Sequence, residues 1–294
     1  MYIGRFAPSP TGPLHFGSLI AALASYADAR SSGGQWLVRI ENTDPPREVP
    51  ESTHQILQTL EAYGFEWDGN VVWQHLQHDK YQAVLDKMVL ERLAYPCDCS
   101  RKQIMQRHNS NRYDNYCRHR DAVSPPSAMR FKAQDSYNAH AQEQWSDRIQ
   151  GLVTSSCSDD FILKRKDGLW AYQLAVVVDD IESQITHVVR GSDLLHETPK
   201  QMQLQIALNA PTPSYAHIPI ATSKTGQKLS KQNLARAIQP HESSKLLTEA
   251  LVFLNQIVDP DWPAASPHEI LQQAIKNWDM TRIPQQLALV REKG

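Results

Sequence analysis

The most constraining feature of the sequence is the alternation of apolar and turn-forming segments at its N-terminus. Residues 3–7 predict a short buried strand that runs directly into a turn rich in proline, serine and glycine. A helical pattern follows, and Gly33 and Gly34 end it before residues 36–40 predict a second strand. A strand, a helix and a strand within the first ~40 residues are typical of a parallel nucleotide-binding sheet. The sequence therefore predicts an α/β fold with a Rossmann-like domain.

The composition is that of an ordinary globular protein. The chain has 294 residues, of which 41% are hydrophobic and 21% are charged, and these values exclude a disordered, collagenous or coiled-coil chain. No apolar run reaches the length of a membrane span, and the N-terminus lacks the pattern of a signal peptide. The net charge of -2 gives no global sign of a nucleic-acid binder. We therefore expect a cytoplasmic protein without a membrane partner.

The remaining patterns predict the domain organisation. Helices are expected over residues 51–63, 79–94 and 199–208, and strands over residues 161–163, 172–178 and 185–190. The periodicity of apolar residues is lost where Cys, Arg, Asn and Ser accumulate, which indicates an inserted small module. Helical signals return near the C-terminus. We predict a catalytic domain formed by residues 1–95 and 127–240, a zinc-binding module at 96–126, and a short helical C-terminal region at 241–294.

The turn before the first helix has the chemistry of an anion site. Backbone N–H groups and the positive end of the helix dipole point at whatever occupies such a turn. The His15 imidazole can hydrogen-bond phosphate oxygens, and Gly17 leaves room for a flat base against the backbone. A plain turn with a capping serine is the alternative, and for this short pattern alone it is the commoner one. The sequence contains no Walker-type phosphate loop.

A second candidate is the lysine-rich segment SKTGQKLSKQ at residues 223–232. Its three lysines, Lys224, Lys228 and Lys231, can converge on a polyphosphate and neutralise its charge. A solvated lysine loop is the alternative, and the segment is a weak signal when taken alone.

Three of the four cysteines, Cys97, Cys99 and Cys117, lie close together in the sequence, whereas Cys157 stands apart. In a cytosolic protein such a cluster favours a metal site over a disulfide framework. Three thiolates can supply most of a tetrahedral zinc site. Three reduced thiols in a loop are the alternative.

The cysteine module is also rich in basic residues. Between residues 100 and 120, Asp114 is the only acid, whereas six side chains are basic: Arg101, Lys102, Arg107, Arg112, Arg118 and Arg120. This excess predicts contact with RNA phosphates, with a solvated loop as the alternative.

Together the two loop motifs resemble the signatures of the class I aminoacyl-tRNA synthetases. The HIGH signature matches residues 15–18, and the KMSKS signature matches residues 228–232, with Gln232 in place of the final serine. More narrowly, the segments RFAPSPTG, RIENTD and THVVRG resemble the catalytic domain of glutamyl-tRNA synthetases. The resemblance covers roughly residues 1–255.

The resemblance implies that the chain activates L-glutamate with ATP and Mg²⁺. It assigns catalysis to His15, Lys228 and Lys231. It assigns ATP binding to Pro8, His15, Gly17, Ser18, Lys228, Ser230 and Lys231. It assigns glutamate binding to Arg5, Phe6, Ala7, Pro8, Ser9, Glu41, Tyr172 and Arg190. Charge supports the last set, because guanidinium groups suit the carboxylates of glutamate and Glu41 suits its ammonium group. Alternatively, Arg39 and Arg190 pair with strand-end acids such as Glu41 and Asp193.

The resemblance also implies a metal and an acceptor. A Cys-x-Cys…Tyr-x-x-x-Cys pattern of close relatives matches one structural zinc site formed by Cys97, Cys99, Tyr113 and Cys117, with His108 and His119 as rival fourth ligands. Only a short tail follows the lysine segment, as in truncated family members that transfer glutamate to the queuosine base in the anticodon of tRNA(Asp). We therefore expect a monomer with glutamate, ATP and queuosine-bearing tRNA(Asp) as partners. Charging of a tRNA 3′ end and non-catalytic RNA binding are the alternatives.

Overall fold

The N-terminal part of the chain forms the parallel βαβ unit that the sequence predicts. Strand β1 (Ile3–Phe6) leads through a turn into helix α1 (Phe16–Ser31), and β2 (Gln35–Ile40) returns parallel to β1. All four residues of β1 are buried, as is usual for a parallel strand with both faces covered. The computed structural model of the chain describes residues 1–109, 112–120, 122–133, 143–155, 159–223, 225–227 and 236–291.

The described residues place five parallel strands in the central sheet. Strand β3 (Val72–Trp73) pairs with β2, and β10 (Ser214–Ile218) pairs with β9 (His187–Gly191). Strand β9 lies beside β1, because the N–H of Thr186 donates to the carbonyl of Ile3 at 2.9 Å. The strand order is therefore β3-β2-β1-β9-β10. The chain adds β2 and β3 on one side of β1 and later adds β9 and β10 on its other side, so the order of the connections reverses between β1 and β9. In open parallel sheets the ligand crevice lies at the carboxyl ends of the strands beside this reversal.

Most predicted helices are confirmed. Helices α2 (Ser52–Ala62) and α6 (Thr198–Ala207) match their predicted positions. Helix α3 (His78–Leu90) ends before residue 94, because the chain has already entered a new strand there.

The predicted strand at 172–178 is wrong. These residues belong to helix α5 (Tyr172–Glu182), in which every residue from Gln173 to Asp180 is buried. Burial of this kind removes the one-sided apolar periodicity that marks a surface helix, and three consecutive valines favour a strand by propensity. Tertiary packing therefore outweighed the local preference.

A second, antiparallel sheet carries the cysteine module. Strand β4 (Ala94–Cys97) pairs with β5 (Ala128–Phe131), which in turn pairs with β8 (Ile162–Lys164). Between β4 and β5 lies helix α4 (Arg101–His108). A separate hairpin is formed by β6 (Glu143–Asp147) and β7 (Gly151–Ser155). The β4–β5 pairing ends at Cys97 and Ala128, close to the predicted bounds of the module, which remain a prediction.

The C-terminal region packs into the main core. Helices α7 (Ser243–Phe253) and α8 (Pro267–Lys276) confirm the helical pattern, and their apolar side chains join those of α1 in one buried cluster. The sequence analysis did not foresee β12 (Ala288–Val290), which pairs in parallel with β11 (Ile220–Thr222). Among the described residues, no helix is long and apolar enough to span a membrane.

Candidate active site

Two cavities open near the carboxyl ends of the central strands. The larger, of about 590 Å³, is lined by Ser9, Glu41 and Tyr172 from the parallel-sheet region and by Cys99 and Arg101 from the cysteine module. The smaller, of about 170 Å³, is lined among others by His15, Gly17, Ser18, Gly191 and Ile218. The fold therefore brings six of the predicted glutamate and ATP residues to these two cavities: Ser9, Glu41, Tyr172, His15, Gly17 and Ser18.

Local hydrogen bonds shape the turn between β1 and α1. The imidazole Nδ1 of His15 accepts from the N–H of Ser18 at 3.3 Å. The cap of α1 is therefore the histidine itself rather than a serine. The N–H of Glu41 donates to the carbonyl of Pro8 at 3.0 Å, which ties this turn to the end of β2. Of the other predicted turn residues, Phe6 and Pro8 are buried, Ala7 is half-buried and Ser9 is exposed.

The predicted residues Lys228, Ser230 and Lys231 lie outside the described residues, as does Cys157. The described chain on the C-terminal side of the lysine segment passes directly beside the HIGH-like motif at residues 15–18. Ala237 forms a β-bridge with His15, and the N–H of Ile238 donates to the carbonyl of Leu14 at 3.0 Å. Residues 237 and 238, which follow the lysine segment in the sequence, therefore lie beside the N-terminus of α1.

A buried charge network lies under the glutamate candidates. Arg39 contacts Asp180 at 2.6 Å and Glu41 at 3.4 Å, and Arg5 contacts Asp180 at 3.2 Å. The contact between Arg39 and Glu41 that the alternative names is therefore present. Burial raises the pKa of Asp180, but the guanidinium groups of Arg5 and Arg39 outweigh it and hold that pKa below its usual range. Burial raises the pKa of Glu41 despite the same two arginines.

Arg190 has an incomplete set of partners. Its Nε donates to Nε2 of His217 at 3.0 Å, and its Nη2 donates to Oγ1 of Thr198 at 2.8 Å. Its Nη1 is buried and has no hydrogen-bond partner in the described part of the chain, and the same holds for Nε2 of Gln201. Burial raises the pKa of Tyr172, and the nearby charge of Arg190 opposes that shift. Buried donors of this kind are costly unless a ligand satisfies them.

The sequence analysis missed Asp179, Asp180, Gln201 and His217. Asp179 accepts from Gln74 at 2.7 Å and from Tyr81 at 2.8 Å, and Asp180 holds two arginines. Two adjacent carboxylates at the end of an apolar run were the available signal, since buried acids require partners. For Gln201 and His217 the sequence contained no comparable signal.

The cysteine cluster could hold a metal ion. The sulfur atoms of Cys97, Cys99 and Cys117 all lie within 4.8 Å of one another. The hydroxyl of Tyr113 is 3.3 Å from Sγ of Cys97. His119 is exposed, and the side chain of His108 lies outside the described part. Three thiols and a phenol oxygen at one point fit a closed, structural zinc site.

The basic surface of the module is smaller than the sequence suggests. Four arginines pair with acids, three of which lie outside residues 100–120: Arg107 with Asp114, Arg112 with Asp159, Arg118 with Asp160, and Arg120 with Asp98. Arg101 and Lys102 are exposed on the first turn of α4. Internal pairing therefore neutralises most of the predicted charge excess.

These features together define a class I synthetase catalytic domain. Residues 3–293 match the family "tRNA synthetases class I (E and Q), catalytic domain", and the chain belongs to this family. It is 46% identical to the glutamyl-Q tRNA(Asp) synthetase of Neisseria meningitidis serogroup C, over 97% of this chain and 98% of that protein. It is 44% identical to the Escherichia coli K12 protein of the same name, over 97% of this chain and 91% of that one.

A solved structure shows the same fold. The glutamate-tRNA synthetase of Elizabethkingia anophelis superposes with a TM-score of 0.81 at 24% identity, covering 99% of this chain and 68% of that chain. The family and the curated relatives show that the chain is a ligase-type enzyme. The family also implies glutamate, ATP and tRNA as its partners.

Proposed function

We propose that the chain activates L-glutamate with ATP and transfers the glutamyl group to the queuosine base in the anticodon of tRNA(Asp). The relatives that match it over nearly their whole length are named for this acceptor. The observation that carries the amino-acid part is Nη1 of Arg190, which is buried and has no hydrogen-bond partner among the described residues, in a site that also contains Glu41.

In this proposal the site complements a zwitterionic amino acid. A carboxylate of glutamate satisfies Nη1 of Arg190, with Gln201 and Tyr172 as further donors, and its ammonium group neutralises Glu41. Nε and Nη2 of Arg5 already bind Asp180 at 3.2 and 3.3 Å. Arg5 therefore contributes chiefly positive charge, and Arg190 is the main carboxylate ligand. Of the loop formed by residues 6–9, Ser9 lines the larger cavity.

The reaction requires no protein nucleophile. A carboxylate oxygen of glutamate attacks the α-phosphorus of ATP in line, the bond to the bridging oxygen breaks, and pyrophosphate leaves. An acceptor hydroxyl then attacks the carbonyl of the adenylate, and AMP leaves as the hydroxyl proton is lost. His15, Lys228 and Lys231 position the phosphates and neutralise the charge that builds on them. Mg²⁺ accompanying ATP would add to that neutralisation.

The acceptor is tested with labelled glutamate and three RNAs: tRNA(Glu), tRNA(Asp) without queuosine, and tRNA(Asp) with queuosine. We expect glutamate-dependent ATP–pyrophosphate exchange without RNA, and stable label only on the queuosine-bearing tRNA. Periodate is a weak test here, because it oxidises every pair of vicinal hydroxyls in the RNA and not only the pair at the 3′ end. A tRNA with a 2′,3′-dideoxy 3′ terminus therefore serves as the control. Label on tRNA(Glu) that this 3′ modification abolishes would support an ordinary glutamyl-tRNA synthetase instead.

A further inference from the structure

Behind Arg190 lies a buried chain of polar groups that the reaction itself does not use. Nδ1 of His217 is 2.7 Å from Oδ2 of Asp147, and both side chains are 0% exposed. On its other side, Nε2 of His217 accepts from Nε of Arg190 at 3.0 Å. A carboxylate, an imidazole and a guanidinium group therefore form one hydrogen-bonded series that ends at the proposed carboxylate ligand.

The partners determine which nitrogen of His217 carries the proton. An ionised carboxylate only accepts hydrogen bonds, so Nδ1 must carry the proton, and Nε2 must offer its lone pair to Arg190. Burial lowers the pKa of His217 to about 4, and the charge of Arg190 adds to this effect against the opposing influence of Asp147. The imidazole is therefore neutral near pH 7, as the hydrogen bond from Arg190 requires.

Asp147 itself is held in one orientation. Its Oδ1 accepts from the backbone N–H groups of His217, Ile149 and Gln150 at 3.1, 2.9 and 2.8 Å. Burial raises the pKa of Asp147, but the hydrogen bonds from His217 and the backbone outweigh it and keep the carboxyl ionised. Only Oδ2 is therefore directed at the imidazole.

We propose that Asp147 is a positioning residue for glutamate binding. It fixes the tautomer of His217, and His217 together with Thr198 holds the guanidinium of Arg190 so that Nη1 remains available for a carboxylate. This inference rests on the proposed role of Arg190 in glutamate binding. It assigns a function to the β6–β7 hairpin, whose strand β6 ends at Asp147.

The hairpin keeps its place on β10 without the Asp147 carboxylate. The N–H of Arg148 donates to the carbonyl of Tyr215 at 2.9 Å, and Nε2 of Gln150 donates to the carbonyl of His217 at 2.8 Å. The Trp145 ring packs edge-on against the rings of Tyr215 and His217. An isosteric change at residue 147 is therefore expected to leave the hairpin docked.

The test is Asp147→Asn. The three backbone N–H groups hold the single amide oxygen at the Oδ1 position, so the NH₂ group faces Nδ1 of His217. The imidazole then carries its proton on Nε2, where it opposes the N–H of Arg190. In ATP–pyrophosphate exchange we expect KM for glutamate to rise by about tenfold, with kcat and KM for ATP changed by less than about twofold.

Trp145→Phe is the matched control, because it alters the same strand and the same ring contact, keeps an aromatic ring there, and removes an indole N–H that has no hydrogen-bond partner among the described residues. Its KM for glutamate should equal that of the unaltered protein. Nitrogen-15 NMR of the His217 ring gives a readout independent of activity: we expect a protonated Nδ1 in the unaltered protein and a protonated Nε2 in Asp147→Asn.

Several results would overturn the proposal. These are an unchanged glutamate KM in a folded Asp147→Asn protein, a proton on Nε2 of His217 in the unaltered protein, or equal rises in KM for glutamate and ATP with a lower Tm. Absence of glutamate-dependent exchange in the unaltered protein would instead contradict the proposed function, and the NMR measurement would still decide the tautomer.

Discussion

At the scale of single residues, the candidate site contains two groups whose charge the described protein compensates only in part. Arg190 has a buried nitrogen for which the described part of the chain offers no hydrogen-bond partner, and burial raises the pKa of Glu41 although Arg39 and Arg5 stabilise its charged form. An amino acid supplies the opposite charge to each group in one molecule. The donor on Arg190 and the charge on Glu41 therefore predict both that a ligand binds here and which of its charged groups faces each residue.

The position of the Tyr113 hydroxyl, 3.3 Å from Sγ of Cys97, predicts the fourth ligand of the cysteine cluster. We expect one zinc ion per chain, held by Cys97, Cys99, Tyr113 and Cys117, and expect Tyr113→Phe to weaken zinc binding by at least about tenfold, because it removes an oxygen donor. Zinc content after competition with a chelator measures the effect. His119→Ala is the control and should retain its metal. Full retention of zinc by Tyr113→Phe would exclude the phenol oxygen as a ligand.

At the scale of elements, the helical form of α5 decides how the site is assembled. Tyr172 and Asp179 are seven positions apart, so a helix places them on one face, whereas a strand would place them on opposite faces. The same helix carries Asp180 to Arg5 and Arg39. The incorrect strand prediction therefore concealed the link between the glutamate candidates and the charge network.

The connection between α1 and β2 permits a sharp test of element packing. A Cβ atom on Gly34 would lie 2.6 Å from the backbone oxygen of Tyr2, so Gly34→Ala should lower the free energy of unfolding by about 2–3 kcal/mol. Gly33 has φ +63° and nothing within 4 Å of the corresponding position, so Gly33→Asn should cost less than about 1 kcal/mol. Urea unfolding measures both variants. Equal losses would contradict the close approach to Tyr2.

At the scale of the whole molecule, the crevice joins parts of the chain that are far apart in sequence. The larger cavity takes its lining from the β1 turn, the end of β2, the cysteine module and the start of α5. The C-terminal helices pack against α1, which begins at the ATP candidates. The site is therefore assembled from elements that are distributed along the described chain.

The buried His217 predicts a pH dependence of global stability. His217 faces Asp147, Arg190 and Asp193 and has its pKa lowered to about 4, whereas an unfolded histidine titrates near 6.5. Between these values the unfolded state binds more protons, so the free energy of unfolding falls as pH decreases. The contribution of His217 reaches about 3 kcal/mol at pH 4 relative to pH 7. Urea unfolding across pH 7 to 4 should show this slope, and His217→Gln should flatten it; parallel profiles would contradict the lowered pKa.

Local patterns in the sequence determined the N-terminal unit and the members of the cysteine cluster. Strand, turn and helix between residues 3 and 31 depend on neighbours within a few positions, which periodicity and turn residues encode. Cys97 and Cys99 are likewise close enough in sequence for their spacing to predict a shared site. The family motifs then identified Arg190 and Glu41 as ligand candidates.

Only the tertiary structure decided which partner each buried charge receives. His217 and Asp147 are 70 positions apart, and Arg39 and Asp180 are 141 apart. No local pattern specifies such pairs, because the order of strands in the sheet sets which side chains meet. For the same reason Arg112 and Arg118 of the cysteine module pair with Asp159 and Asp160, which lie outside the module. Local sequence patterns specify the turns and helices. Burial and the order of the strands instead determine the partners of the buried charges, and among the described residues they provide none for Nη1 of Arg190.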